Sequence, residues 1–386
     1  MSDGTHRLSD FGLDPTLIHA NHGSYGAVPL VIRTTQHRIQ AELDANPTGF
    51  FRDRYPELIR AAASRVAGFL GGDPEDWVFV DNATAGVNTV LACTRLHPGD
   101  EVLTTDQAYG AVKKVIAHHC SRNDARSVAV KLKLPITSPS DVFEAVVAAA
   151  TTKAKLVVLD HVSSPCGIVF PVAELCSYFG QRGIPVLVDG AHGPGNVEVD
   201  TASIGADFYT GNAHKWLCAP PGAAMLWCRR ERQRQLKPLI LSHGHGAGFT
   251  QAFDWPGTRD PSAWLSIPAA IDFHLENGGA QLRERNRKTA LDAAQRLSDE
   301  CDYVPVAPSD LQSSMIALRL LSDRELTPVE CAALQHRLQA EEDVVVAITS
   351  VGGSTWLRLS AGLYTDANDL TEAGRRVWKA IQPTNS

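Results

Sequence analysis

Short apolar segments alternate with segments of helical periodicity over residues 55–300, and this alternation restricts the fold more than any other feature of the chain. Val- and Leu-rich runs flanked by turn-forming residues are typical of strands that are buried on both faces of a sheet. Strands that alternate with helices predict right-handed βαβ units. We therefore predict an α/β fold with a large, mostly parallel sheet. The predicted strands cover 77–80, 101–105, 127–132, 155–160, 184–189, 207–211 and 223–228, and the predicted helices cover 55–70, 84–96, 110–120, 140–150 and 171–183.

The C-terminal third has a different order of elements. A long helical stretch at 262–300 is interrupted at 277–279, and strands (313–320, 355–360) and helices (327–342, 369–381) follow it. This order predicts a smaller α+β domain. We predict three parts: an N-terminal segment (1–30) that packs with the small domain, a large domain (31–261) and a small C-terminal domain (262–386).

Composition excludes several classes of protein. The 386 residues carry 36 basic and 43 acidic side chains, and a net charge of −7 argues against nucleic acid as a partner. No apolar run reaches the roughly 18–20 residues of a membrane span, and the N-terminus lacks the apolar core of a signal peptide. We expect a soluble, cytoplasmic protein. The eight cysteines form no CxxC pair, so reduced thiols are expected rather than disulfides or a metal site.

Two charged residues stand at ends of predicted strands, where an open parallel sheet binds its ligands. Asp189 closes an apolar strand with no Lys or Arg beside it, and Lys215 follows the next strand in an otherwise uncharged segment. An acid that keeps a pyridine nitrogen protonated and a lysine that forms a Schiff base are the protein groups that pyridoxal phosphate requires. The pair predicts a site for this cofactor.

Two other strand ends fit the same cofactor. Small and polar residues at 82–84 lead into a helix, where they can form an ordinary N-cap or a cradle for a phosphate group. Tyr109 follows strand 101–105, where it can pack as a core aromatic or stack on a cofactor ring.

Motifs along nearly the whole chain resemble the class V branch of fold-type I pyridoxal-phosphate enzymes, and most closely the isopenicillin N epimerase-like group. The motifs are NHGSYGAVP (21–29), LTTDQAYGAV (103–112), DHVSSPCGIVFPVAELC (160–176), LVDGAHGPG (187–195), GADFYTGNAHKWLCAPPGAAMLW (205–227), GTRDPSAWLSIPAAIDF (257–273) and LRLSAGLYTDANDL (357–370).

The resemblance implies a role for each candidate site residue. Lys215 would bind the cofactor covalently, Asp189 would contact its ring nitrogen, and Tyr109 would stack on its ring. The remaining candidates fall into four groups: Ser164 and His192 near the phenolic oxygen, Ala83, Thr84, Asn212 and His214 at the phosphate, Gly257 and Thr258 reaching the phosphate of the other protomer of a homodimer, and Arg358, Asn21, His243 and His245 at a small amino-acid substrate.

The sequence narrows the set of reactions that the cofactor could support. A cysteine desulfurase needs a cysteine on a mobile loop over the site, and the corresponding segment, 348–354, has none. Epimerisation needs proton carriers on both faces of Cα, for which Tyr109, His243 or His245 could join Lys215, whereas β-elimination needs only one base. We predict C–S β-elimination of a cysteine conjugate; the alternatives are an amino-acid epimerase and a decarboxylation-dependent oxidative deaminase. Phe50, Phe51, Arg52, Arg54 and the loop 241–249 are predicted to line the substrate pocket.

Overall fold

The computed structural model describes residues 7–320 and 325–382. The predicted segment 1–30 and the predicted domain 262–386 therefore extend at 1–6, 321–324 and 383–386 beyond the described residues. The α-helices of the described part are α1 (Leu8–Phe11), α2 (His22–Tyr25), α3 (Leu30–Ala45), α4 (Pro47–Gly49), α5 (Tyr55–Leu70), α6 (Ala83–Cys93), α7 (Gly110–Arg122), α8 (Pro139–Ala149), α9 (Val172–Gly180), α10 (Thr201–Ile204), α11 (Phe249–Asp254), α12 (Ser262–Leu265), α13 (Ile267–Glu276), α14 (Ala280–Cys301), α15 (Pro328–Glu342) and α16 (Ala367–Ile381).

The strands form three sheets. They are β1 (Ile18–His19), β2 (Trp77–Val80), β3 (Glu101–Thr105), β4 (Arg126–Val130), β5 (Ala154–Asp160), β6 (Val186–Gly190), β7 (Phe208–Asn212), β8 (Ala224–Cys228), β9 (Val304–Pro305), β10 (Met315–Arg319), β11 (Val344–Val345), β12 (Ala347–Val351) and β13 (Ser354–Ser360). The seven-stranded sheet has the order β2-β8-β7-β6-β5-β3-β4, and only the pairings that β8 makes are antiparallel. This sheet confirms the predicted fold class.

Alternating side chains explain why the central strands are apolar throughout. Val157 and Val188 contribute to a core on one face of the large sheet, and their neighbours Val158 and Leu187 contribute to a core on the other face. Successive side chains of a strand point to opposite faces, so a strand between two layers of helices must be apolar at every position. Helices α5, α8 and α9 cover the first face, and α6 and α7 cover the second.

The C-terminal region has its own antiparallel sheet, in the order β12-β13-β10-β9, with α14, α15 and α16 packed on it. The segment 348–354, predicted as a loop, instead lies in a hairpin: β12 and β13 pair through a turn at Gly352 and Gly353, whose φ angles are 64° and 76°. Two consecutive residues with positive φ are what a tight hairpin turn requires, and two glycines supply them without strain.

The N-terminal segment is tied to this C-terminal region. Strand β1 pairs in parallel with β11, and the Ala20 carbonyl accepts a hydrogen bond of 2.8 Å from the Ser360 amide. Helices α12 and α13, in contrast, place Trp264 and Ile271 in the core of the large sheet. The division at residue 261 stays a prediction.

Among the described residues, no helix is both long and apolar enough to cross a membrane. All eight cysteine thiols are free.

Candidate active site

A cavity of about 430 Å³ opens where β5, β6 and β7 end, beneath β13 and the N-terminal segment. It brings together most of the predicted site residues, from strands that are far apart in the sequence. The predicted residues that line it are Ala83, Thr84, Tyr109, Ser164, Asp189, His192, Asn212, His214, Lys215 and Arg358. The cavity-lining residues that sequence reasoning did not single out include Ser24, Tyr25, Asp81 and Asp160.

Lys215 lies against a neutral imidazole. Its Nζ is 3.0 Å from His192 Nε2, and the Trp216 indole donates to His192 Nδ1 at 3.3 Å. Because Nδ1 accepts, the proton of a neutral imidazole is on Nε2 and points at the lysine. Burial, and then the charge of Arg358, lower the pKa of Lys215 to about 7, and burial holds the pKa of His192 well below its usual value. Lys215 is thus available as a neutral amine near neutral pH.

Asp189 is a buried carboxylate, and no Lys or Arg of the described residues forms a salt bridge with it. Its side chain is 5% exposed, and its Oδ1 accepts a hydrogen bond of 3.0 Å from the Ala191 amide. Burial raises its pKa, while the Ala191 amide and the charge of Lys215 act in the opposite direction. A carboxylate placed this way favours a cationic N–H donor in the cavity, which a protonated pyridine nitrogen provides.

The start of α6 shows the N-cap that was one of the two predicted possibilities for residues 82–84. Asn82 is the N-cap, since its Oδ1 accepts from the Ala85 amide at 2.9 Å, and Asn212 Oδ1 accepts from the Ala83 amide at 2.8 Å. The Thr84 amide at this helix N-terminus has no such acceptor among the described residues. An eleven-residue helix that points its N-terminus and a threonine hydroxyl into a cavity suits an anion.

Arg358, on β13, is a buried cation without a carboxylate partner in the described part of the chain. Its Nη2 donates to Ser24 Oγ at 2.7 Å and to Asn21 Oδ1 at 3.1 Å, and its Nη1 donates to the Ser164 carbonyl at 2.5 Å. Its Nε has no partner, and burial lowers its pKa to about 10. A guanidinium held only by neutral acceptors retains its charge for an incoming anion, and its fork suits a carboxylate.

The N-terminal segment covers the site, and its contact with the loop after β7 that carries Lys215 (the lysine loop) requires a glycine. Gly26 has a φ of 72°, and a Cβ at this position would lie 2.1 Å from the His214 carbonyl oxygen and 2.7 Å from that of Lys215. Residues 21–26 therefore contact both the backbone of Lys215 and the guanidinium of Arg358. The motif NHGSYG contains this signal, because it holds Gly26 together with Asn21 and Ser24, the two side chains that bind Arg358.

Replacing Gly26 by alanine is expected to lower the free energy of unfolding by about 3 kcal/mol or more, since a strained backbone and a steric overlap each cost about 1–3 kcal/mol. Urea unfolding monitored by circular dichroism measures this loss. Gly99→Ala is the matched control, because Gly99 has a φ of 85° but no atom within 4 Å of its added Cβ. Equal losses in the two variants would mean that the contact with the lysine loop contributes nothing.

Several predicted residues do not line this cavity. Asn21 reaches it only through Arg358, and His243 and His245 are exposed on a turn elsewhere. Thr258, Phe51 and Arg52 line a second cavity of about 940 Å³, Phe50 is buried in the core, and Arg54 pairs with Glu42. No group of three or more His, Cys, Asp or Glu side chains that could hold a metal is found within the described ranges.

Comparisons with known proteins agree with this geometry. The model of the family "Aminotransferase class-V" matches residues 34–371. Isopenicillin N epimerase of Amycolatopsis lactamdurans is 32% identical over 95% of this chain and 96% of its own. Putative L-cysteine desulfhydrase 1 of Oryza sativa subsp. japonica is 36% identical over 78% of this chain and 66% of its own.

Solved structures show the same fold at low identity. An apo cysteine desulfurase from Thermococcus onnurineus superposes with a TM-score of 0.82 at 18% identity, covering 99% of this chain and 98% of its own. The cystine C–S lyase C-DES, in complex with its product cysteine persulfide, superposes with a TM-score of 0.80 at 19% identity, covering 94% and 97%.

The residues that line the cavity fit pyridoxal phosphate at both ends of the cofactor. Lys215 offers a half-buried amine, Asp189 an acid for the ring nitrogen, and the N-terminus of α6 a place for the phosphate. The match to the family extends over more than four fifths of the chain, and its cofactor is the one that these side chains accommodate. The chain belongs to the class V aminotransferase family of fold-type I enzymes that depend on pyridoxal phosphate.

Proposed function

We propose that the protein cleaves the C–S bond of a cysteine derivative by β-elimination. The observation that carries the proposal is the position of Lys215, the one lysine among the described residues that line the cavity, whose pKa of about 7 suits a base at neutral pH. His243 and His245, which could have served the opposite face of Cα, do not line the cavity. The similarity to a putative L-cysteine desulfhydrase supports the same reaction.

The roles of the protein groups follow from their positions. When bound, pyridoxal phosphate acts as an electron sink for the charge that develops at Cα. Arg358 would bind the substrate carboxylate, and Lys215 would remove the α-proton. Asp189 would keep the ring nitrogen protonated, and His192 would hold Lys215 in place. Elimination releases a thiol and 2-aminoacrylate, and water then hydrolyses 2-aminoacrylate to pyruvate and ammonia.

Epimerisation of an amino acid is the second candidate, because a phenol is available at the cavity. Tyr109 lines it with a ring that is 50% exposed, and it could protonate the face opposite Lys215. The 32% identity with an isopenicillin N epimerase supports this alternative.

Mass spectrometry after incubation with S-substituted cysteines in deuterated water tests the proposal. Pyruvate and a free thiol would support elimination, whereas deuterium at Cα with inverted configuration would support epimerisation in its place. An aldehyde with loss of CO₂ would indicate oxidative deamination. Products that form with Lys215→Ala at the wild-type rate would have to come from a contaminant.

We also propose that the enzyme is a homodimer in which Gly257 and Thr258 reach the phosphate site of the partner. In its own chain Thr258 lines the larger cavity and not the site cavity. An exposed apolar row on the surface suits a contact between copies; it comprises Leu239, Ile240 and Leu241, which are 52%, 63% and 58% exposed.

Mixed dimers test the sharing of the site. Thr258→Glu places a carboxylate beside the phosphate and should prevent cofactor binding by charge repulsion, and Lys215→Ala should be inactive. Dimers with one copy of each variant, purified through two different tags, should recover up to half of the wild-type activity, since one of the two sites then has both residues intact. Inactive mixed dimers would place Thr258 at the site of its own chain. Thr258→Ser is the conservative control.

A further inference from the structure

Two buried carboxyl groups lie side by side at the edge of the large sheet. Asp160 ends β5, and the parallel pairing of β5 with β6 sets it directly opposite Asp189. Neighbouring strands are about 4.8 Å apart. Both side chains line the site cavity, and they are only 4% and 5% exposed. Burial of two carboxyl groups this close favours a single ionised carboxylate at neutral pH, because a charge on one group disfavours ionisation of the other.

The surroundings of the two groups decide which one is ionised. Asp189 accepts the Ala191 amide and lies near Lys215, and both contacts stabilise its anion. The Asp160 carboxyl forms no hydrogen bond with another residue of the described chain. Lys113 of α7, the cation whose charge acts on Asp160, already donates to the Asp106 carbonyl at 2.9 Å. Burial and the charge of Asp189 raise the pKa of Asp160 well above its ordinary value.

We propose that Asp160 and Asp189 form a pair that holds one proton, and that this proton is on Asp160. Asp160 is then a positioning residue, because its neutral carboxyl group leaves Asp189 as the single anion that faces the cofactor ring. The inference rests on the proposed function only in the assignment of Asp189 to that ring. The charge of Lys113 acts on Asp160, that of Lys215 acts on Asp189, and Tyr209, which the charge of Asp189 affects, has its hydroxyl 3.1 Å from His161 Nδ1. The other charged or titratable side chains of the described residues that line the same cavity are Tyr25, Asp81, Tyr109, His192, His214 and Arg358.

Stability as a function of pH tests where the proton resides. A folded protein that keeps a proton on Asp160, which the unfolded chain releases above a pH of about 3.9, must lose stability as the pH rises. Asp160→Asn removes this dependence. The unfolding constant of the wild-type holoenzyme, divided by that of the variant, should therefore increase by up to about tenfold per pH unit from about pH 4 up to the folded pKa of Asp160.

Two further variants control this comparison. Asp44→Asn makes the same substitution on the exposed surface of α3 and should follow the wild type at every pH. If Asp160→Asn does not fold, Asp160→Ala, which also lacks the carboxyl group, takes its place in the measurement. A ratio that does not change with pH would overturn the proposal, because it would mean that Asp160 is ionised in the folded protein.

Absorbance of the bound cofactor gives a second readout that does not depend on turnover. At pH 7, Asp160→Asn should have the wild-type band and bind pyridoxal phosphate within twofold of the wild-type dissociation constant, since both side chains are neutral. At alkaline pH the wild type should show a spectral step that the variant lacks. A shifted band at pH 7, or binding weakened tenfold, would overturn the inference. If the substrate panel shows no elimination, the proposed function fails while both of these readouts still stand.

Discussion

Replacing Lys215 by alanine is expected to remove the covalent link to the cofactor and to reduce turnover by at least about 10²–10⁴-fold, the usual contribution of a positioned base. Its pKa of about 7 results mainly from burial, so a large fraction of the amine is unprotonated at neutral pH and can act as nucleophile and as base. No other lysine lines the site cavity of the described chain. The loss should therefore be specific to this residue.

Borohydride reduction followed by peptide mapping measures the link directly. The wild type should carry the reduced cofactor on the peptide that contains Lys215, and the variant should carry none. Lys133→Ala changes an exposed lysine outside the cavity and should behave as the wild type. An adduct of full yield in Lys215→Ala would place the covalent link on a different residue.

Replacing Arg358 by glutamine is expected to raise the KM for amino-acid substrates by about 30-fold to several thousand-fold, corresponding to about 2–5 kcal/mol for a buried charge pair that loses one partner. The guanidinium has no carboxylate partner of its own in the described residues, so its charge is available to the substrate. Arg358→Lys should recover part of the loss, because an ammonium keeps the charge but cannot make the bidentate contact.

The substrate supplies the control for this prediction. A substrate analogue without the carboxylate, such as an S-substituted cysteamine, should bind the wild type and Arg358→Gln with equal affinity. The free energy of unfolding should change little, since the variant also removes a buried charge whose pKa burial lowers to about 10. If the variant instead weakens both ligands equally, Arg358 acts on the fold of the cavity and not on the carboxylate.

The large sheet could be predicted from the sequence because the residue pattern that identifies each strand lies within that strand and its flanking turns. Each strand of the large sheet lies within two residues of its predicted range, since buried runs of Val and Leu can hardly adopt another structure between two layers of helices. Lys215 and Asp189 could also be identified as candidates from local sequence, because a charged side chain at the end of a buried apolar strand calls for a partner or a function.

The parts that could not be predicted depend on contacts between distant residues. The partners of Arg358 lie up to 337 positions away, and only the packing of the N-terminal segment brings them together. Asp160 could have been found, since its strand ends in an aspartate as that of Asp189 does, but its importance depends on the register between the two strands. His243 and His245 were candidates because histidine can carry a proton, and nothing in the local sequence indicates that the turn that holds them is exposed.

The pairing of β1 with β11, and of Ala20 with Ser360, has a consequence for synthesis of the protein. A ribosome produces the partners of residues 18–24 only near the end of translation, so a nascent chain can complete the large sheet and the segment that holds Lys215 well before Arg358 is made. Residues 21–26 can then contact the lysine loop, but they lack Arg358 until the last strands have been synthesised. The order of synthesis thus makes the surroundings of Arg358 the final part of the cavity to form, after the surroundings of Lys215.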